Sequence, residues 1–147
     1  MSLLSDADCQ VLRQRLATLP RPVRLVFFTQ TFGCDTCDDA KRILDELAGL
    51  SDKVSVETLN LVLDTEKAAQ FGVDRAPTTA VVAVADDGTE LDFGVRFVGL
   101  TAGYEFSSLV AAIELVSGGD SHLSDESRAL LALVDRPVRV QVFVTPT

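Results

Sequence analysis

Apolar positions along this chain alternate between strand and helix spacings almost from its start. Val11, Leu12, Leu16 and Leu19 fall three, four and seven apart, the spacing of one helix face. Ser5 followed by Asp8 reads as a capping box with Asp in place of Glu, and Pro20 and Pro22 stop the helix. Positions 23–29 are apolar almost throughout, the mark of a strand covered on both faces. Ala40, Ile43, Leu44 and Leu47 predict a second helix ending near Gly49. Positions 54–59 alternate as a strand with one face exposed, and a short helix over 65–71 is broken by Gly72. Another apolar strand, 80–85, runs into Asp86-Asp87-Gly88, a tight-turn signal, and 90–98 returns as its hairpin partner. After a loop at 99–103, positions 104–116 form a largely apolar helix carrying Phe106, Leu109, Val110, Ile113 and Leu115. Ser117-Gly118-Gly119-Asp120-Ser121 then reads as a flexible break.

From position 23 the order is β-α-β-α-β-β-α. Two β-α-β-type crossovers and a closing hairpin imply an α/β fold, a mixed sheet with helices on both faces. The division expected is one unit over 1–121 and a fragment over 122–147.

The fragment repeats the beginning of the chain. Leu123-Ser124-Asp125 matches Leu4-Ser5-Asp6, and Arg136-Pro137-Val138-Arg139 matches Arg21-Pro22-Val23-Arg24. The run 142–147 matches 26–31. The offsets are 119, 115 and 116 residues, so the helix between the first two blocks is four residues shorter. This is an internal duplication whose second copy holds one helix and one strand. The alternating Val138, Val140, Val142 and Val144 would form a strand without a partner in its own unit, a template for docking or for pairing with a second copy in a homodimer.

Composition narrows the partners. The 147 residues carry a net charge of −9, which disfavours nucleic acid and anionic membrane surfaces. No apolar run approaches the ~18 residues of a membrane span. The acidic opening, 1–8, lacks the basic flank of a signal peptide, and three cysteines are too few for a secreted disulfide scaffold. A cytoplasmic location is the expectation.

The chemistry sits in Phe32-Gly33-Cys34-Asp35-Thr36-Cys37-Asp38-Asp39, where the first strand ends and the second helix begins. Unpaired N–H groups at a helix N-terminus favour a thiolate, and the thiolate is the nucleophile. Cys34 would attack a disulfide, and Cys37, one turn into the helix and buried, would resolve the mixed disulfide. Half of a zinc site and an inert structural disulfide are the competing readings; zinc needs two further ligands, and the chain offers only Cys9 and His122. Cys9 reads as a small, partly buried apolar residue.

Several segments together carry a resemblance. They are 4–8, Cys34-Asp35-Thr36-Cys37, Asp74-Arg75-Ala76-Pro77-Thr78-Thr79, the run 93–106 and the closing 142–147. In this order they resemble the front part of a protein disulfide oxidoreductase of the glutaredoxin-like, double-thioredoxin-fold type found in thermophilic archaea and bacteria. The resemblance implies a thioredoxin-like fold, a mixed four-stranded central sheet flanked by helices with an extra N-terminal helix. To this it adds the first helix and strand of a second thioredoxin-like unit, stopping before the second C-x-x-C. It implies reduction or exchange of protein disulfides through Cys34 and Cys37, with no cofactor beyond that redox-active disulfide. It also implies electrons from an NADPH-dependent, thioredoxin-reductase-like flavoprotein. Pro77 would be cis and face the cysteines, leaving the Ala76 backbone to pair with a substrate strand.

Two features depart from thioredoxins proper. Their buried aspartate six residues before the nucleophile is Phe28 here, which leaves Glu57 or a water as acceptor for the Cys37 proton. Asp35, Asp38 and Asp39 crowd the turn, and negative neighbours disfavour a thiolate, so the site is expected to act as a reductant. Two other roles compete with catalysis: a docking or dimerisation module, and an electron-shuttle domain feeding a peroxide-reducing system.

Overall fold

The computed structural model describes residues 4–145. Its elements in chain order are α1 (Asp6–Ala17), β1 (Val23–Thr29), α2 (Cys37–Ala48), β2 (Val54–Asn60) and α3 (Thr65–Phe71). There follow β3 (Thr78–Val84), β4 (Glu90–Val98), α4 (Tyr104–Gly118) and α5 (Asp125–Leu131). The readings of Met1, Ser2 and Leu3 and of the repeat's closing Pro146-Thr147 lie outside the described residues.

One mixed sheet of four strands, in the order β2-β1-β3-β4, organises the molecule. β1 pairs in parallel with β2 and antiparallel with β3, and β3 pairs antiparallel with β4. Only the first crossover, through α2, joins parallel neighbours. The second carries the chain past β1 to its other edge, where β3 enters antiparallel. The β3–β4 hairpin closes through Gly88, whose φ of +84° suits a residue without a Cβ.

Alternation along β1 sorts the core into two layers. Leu25 and Phe27 lie in the larger cluster with α1, α2 and α4, and Val26 and Phe28 in the smaller one with α3. All four are fully buried. Phe28, at the aspartate position of thioredoxins, packs edge-to-face on Phe71 with ring centroids 6.0 Å apart.

The helix caps follow the sequence signals. The Ser5 side chain accepts from the Asp8 N–H, and in the repeat the Ser124 side chain accepts from the Ser127 N–H. Leu12 and Leu16 are buried, but Val11 is 56% exposed and lies off the core stripe. Gly49 ends α2 with φ −65° and ψ −9°, a right-handed conformation, so the left-handed glycine signal works only at Gly72 and Gly119.

Two expectations are corrected. The break assigned to 117–121 begins later, because Ser117 and Gly118 belong to α4. Ser117 is fully buried, and its hydroxyl donates to the Arg21 carbonyl (2.6 Å) and accepts from the Arg21 N–H (3.0 Å). This clamp ties the end of α4 to the turn that launches β1. In the repeat, α5 forms but no strand follows it: Val138, Val140, Val142 and Val144 are exposed and unpaired. A strand is stabilised by paired neighbours, and among the described residues no strand pairs with this segment, which faces β4 across a groove. The same lack of support leaves α5 at seven residues against twelve in α1, with none of them buried.

Replacing Ser117 with Ala orphans both polar groups of Arg21. The cost expected is about 1–3 kcal/mol, or roughly 2–4 °C in Tm for each kcal/mol. Ser121→Ala, outside the clamp, leaves Tm unchanged in the same calorimetric scan.

Candidate active site

β1 delivers the chain to the cysteine turn at its C-terminal end. The Gln30 amide donates to the carbonyls of Phe32 (2.8 Å) and Gly33 (3.1 Å), fixing the turn, and Gly33 takes φ +72°. Thr36 is the N-cap of α2 and Cys37 its first residue. Cys34 therefore precedes the helix, and Cys37 opens it rather than sitting one turn inside.

Cys34 and Cys37 are joined by a disulfide, with Cα atoms 5.5 Å apart. Cys34 is half-buried and Cys37 only 3% exposed. Visitors thus reach the first sulfur but not the second. Asp35, Asp38 and Asp39 are exposed around the turn, and Asp38 and Asp39 lie in the first turn of α2, where they complement the helix dipole. Asp39 also pairs with Arg42 at 3.6 Å. Cys9 stays apart as a half-buried free thiol. Among the described residues, no group of three or more His, Cys, Asp or Glu could hold a metal ion.

The Ala76-Pro77 peptide bond is cis. Pro77 is buried, its carbonyl accepts from the Gly99 N–H (2.8 Å), and the Thr78 hydroxyl donates to the Arg75 carbonyl (2.7 Å). Among the described residues, none hydrogen-bonds to the Ala76 backbone. A groove of about 920 Å³, walled by the end of β4 and by residues 139–144, is lined at its other side by Thr36, between the cysteines, and by Asp74, Arg75 and Thr78 around this proline. The fold thus brings the cysteine turn and the 74–78 loop to one surface.

Glu57 lies on β2. It pairs with Val26 in mid-strand, and alternation puts it on the side of Leu59 and α3, while Val56 faces the α2 side. Its Oε2 is buried and has no hydrogen-bond partner among the described residues. Phe28, at the aspartate position of thioredoxins, also occupies this face of the sheet. Reading the sequence missed Gln30 and Asn60, whose side chains tie the loops flanking the cysteines. The one available signal was their position at the C-terminal ends of two apolar strands.

Charge pairing supports the far wall of the groove. Asp92 is held below the usual carboxylate range first by its hydrogen bonds from Arg96. Arg96 in turn donates to the Phe71 carbonyl and lies over its ring.

No family model matches the chain. A thioredoxin from Methanocaldococcus jannaschii is 33% identical over 60 residues, covering 40% of this chain and 69% of that protein. A Bacillus subtilis protein named NADH dehydrogenase is 38% identical over 84 residues, 57% of this chain but only 13% of that protein. Among solved structures, a protein disulfide oxidoreductase from Aeropyrum pernix has a TM-score of 0.74 at 28% identity, over 88% of this chain and 54% of that one. The N-terminal domain of an alkylhydroperoxide reductase subunit from Enterococcus faecalis has a TM-score of 0.76 at 24% identity, over 89% and 61%.

The sheet order, the flanking helices and the paired cysteines at a helix start define the class of thioredoxin-fold thiol–disulfide oxidoreductases. The chain belongs to the thioredoxin family. It spans only 13% of the NADH dehydrogenase relative and about half of the Aeropyrum structure.

The Asp92 pairing fixes a pH dependence. A carboxylate with a depressed folded pKa contributes stability above its ordinary value of 3.8 and loses it as pH falls through the lower folded value. Urea unfolding between pH 7 and pH 2 is expected to show this loss, and Asp92→Asn to remove that part of the acid slope.

Proposed function

We propose that the chain reduces or exchanges protein disulfides through Cys34 and Cys37. The observation that carries this reading is an accessible Cys34 bonded to a buried Cys37 at the start of α2. In the reduced state the Cys34 thiolate attacks one sulfur of a substrate disulfide. A mixed disulfide forms, and the other substrate sulfur leaves as a thiolate that takes up a proton. Cys37 loses its proton and attacks the Cys34 sulfur, releasing the second substrate thiol. The substrate gains two electrons and two protons, and the enzyme is left as the disulfide seen here. Two electrons from an external dithiol or an NADPH-dependent flavoprotein reset it. No other cofactor enters this scheme.

Ala76 and Pro77 are the proposed substrate-binding pair. The free backbone of Ala76 supports strand-like pairing with a substrate segment beside Cys34. The acids of the turn weaken the thiolate and so stabilise the disulfide, which makes the pair a reductant, working in the cytoplasm. Residues 1–121 are the working unit and 122–147 the opening of a second one, whose unpaired segment 138–144 is a route to a homodimer.

A second reading has specific support. The 38% identity to part of a protein named NADH dehydrogenase favours an electron-shuttle domain loaded by a nicotinamide-dependent flavoprotein; a peroxide-reducing system is the acceptor proposed for it.

Insulin turbidity with dithiothreitol tests the exchange chemistry. Cys34→Ser is expected to fall to the uncatalysed rate, whereas Cys37→Ser accumulates a mixed disulfide with substrate that mass spectrometry detects. Wild-type turnover equal to that of Cys34→Ser would refute the proposal. Transfer from a flavoprotein reductase to a peroxide-reducing protein far faster than to insulin would select the shuttle reading.

A further inference from the structure

Three large apolar side chains stand in water beside the cysteine turn. Phe32 is 86% exposed, Val62 68% and Leu63 79%. With Gln30, Thr31 and Asn60 they line one cleft of about 240 Å³. The cleft lies at the C-terminal ends of β1 and β2, and Phe32 is two residues from Cys34. No residue of the 74–78 loop lines it, so it is separate from the groove at Pro77.

The loops that carry these side chains are held by polar ones. Gln30 fixes the carbonyls of Phe32 and Gly33. Asn60 Oδ1 accepts from the N–H groups of Val62 (2.9 Å) and Leu63 (3.2 Å), and Asp64 accepts from the Asn60 N–H (2.6 Å). Asn60 Nδ2 reaches the Thr31 hydroxyl at 3.5 Å, joining the two loops. The turns are thus built without the side chains of Phe32, Val62 and Leu63, which fill no core. Isolated exposed apolar residues are ordinary. Three presented on tied loops beside a reactive sulfur form a patch with surface to bury.

Charge selects the occupant. Asp35, Asp38 and Asp39 rim the same turn, and the chain carries −9 overall. A second copy would bring an identical acidic rim against this one, and anionic headgroups would meet the same repulsion. A polypeptide that is apolar beside its cysteine and basic beyond it complements both features.

We infer that Phe32, Val62 and Leu63 receive the disulfide-bearing segment of a protein substrate, with a large apolar residue next to the attacked cysteine and Lys or Arg beyond it. This deepens the disulfide-exchange reading and rests on it. Pairing at Ala76 aligns a segment through its backbone and so accepts many sequences. The cleft adds selection by side chain.

The test uses disulfide-linked peptides that differ only in the flank of the cysteine: Leu-Lys, Ser-Lys and Leu-Glu. The wild type is expected to reduce the Leu-Lys peptide about tenfold faster, in kcat/KM, than the Ser-Lys peptide, as partial burial of one aliphatic side chain allows. It should also prefer Leu-Lys to Leu-Glu, by a margin that shrinks with salt. Val62→Ser with Leu63→Ser, and separately Phe32→Ser, should bring the Leu/Ser ratio close to one. Because the readout is a ratio within one protein, a general loss of folded enzyme leaves it unmoved. A wild-type ratio near one, or a ratio that survives both variants, overturns the inference while exchange itself stands. A concentration-dependent dimer dissolved by Val62→Ser with Leu63→Ser would overturn it in favour of self-association. A wild type that reduces neither the peptides nor hydroxyethyl disulfide sinks the exchange reading and this inference with it.

Discussion

The burial of β1 on both faces is the constraint on which the rest of the molecule depends. Leu25 and Phe27 are needed by the helices on one side, Val26 and Phe28 by α3 on the other. Each such side chain contributes about 1.5–3 kcal/mol on burial, so the strand cannot shift register by one residue without exchanging both layers at once. Its C-terminal end is therefore fixed in space, and the cysteine turn begins there. The buried Ser117 hydroxyl pins the other end, at Arg21.

The site is assembled from chain segments that only the sheet brings together. β1 places Cys34, the first residue of α2 is Cys37, and β3, antiparallel to β1, begins directly after Pro77. Because β3 starts where β1 ends, the loop before β3 reaches the turn after β1. The second crossover thus carries the functional consequence of the topology: entering antiparallel, it brings the 74–78 loop to the same surface as the cysteine turn. Arg96, pairing with Asp92 and bonded to the Phe71 carbonyl, steadies the approach to that loop from the hairpin side.

The duplicated tail separates local from tertiary information. The cap of α5 reproduces that of α1 down to the serine and the position of the N–H it accepts, because a cap involves four neighbouring residues. Residues 138–145, which match β1, form no strand, because a strand requires another one paired alongside. The same sequence pattern is thus a buried central strand at 23–29 and an exposed segment at 138–145.

Much of the fold was legible because it is written in short-range periodicity. The bounds of β1, α3 and β4, the hairpin turn and the cysteine pair at a strand–helix junction all follow from spacing within a few residues. The cis bond before Pro77 was legible only through resemblance. What the sequence could not supply were facts that depend on distant partners: that Ser117 is a clamp rather than a linker, that Glu57 shares a face of the sheet with Phe28, and that Phe32, Val62 and Leu63 share one cleft. Spacing reports which residues share a face of one element, whereas the face another element covers is decided by how the elements pack.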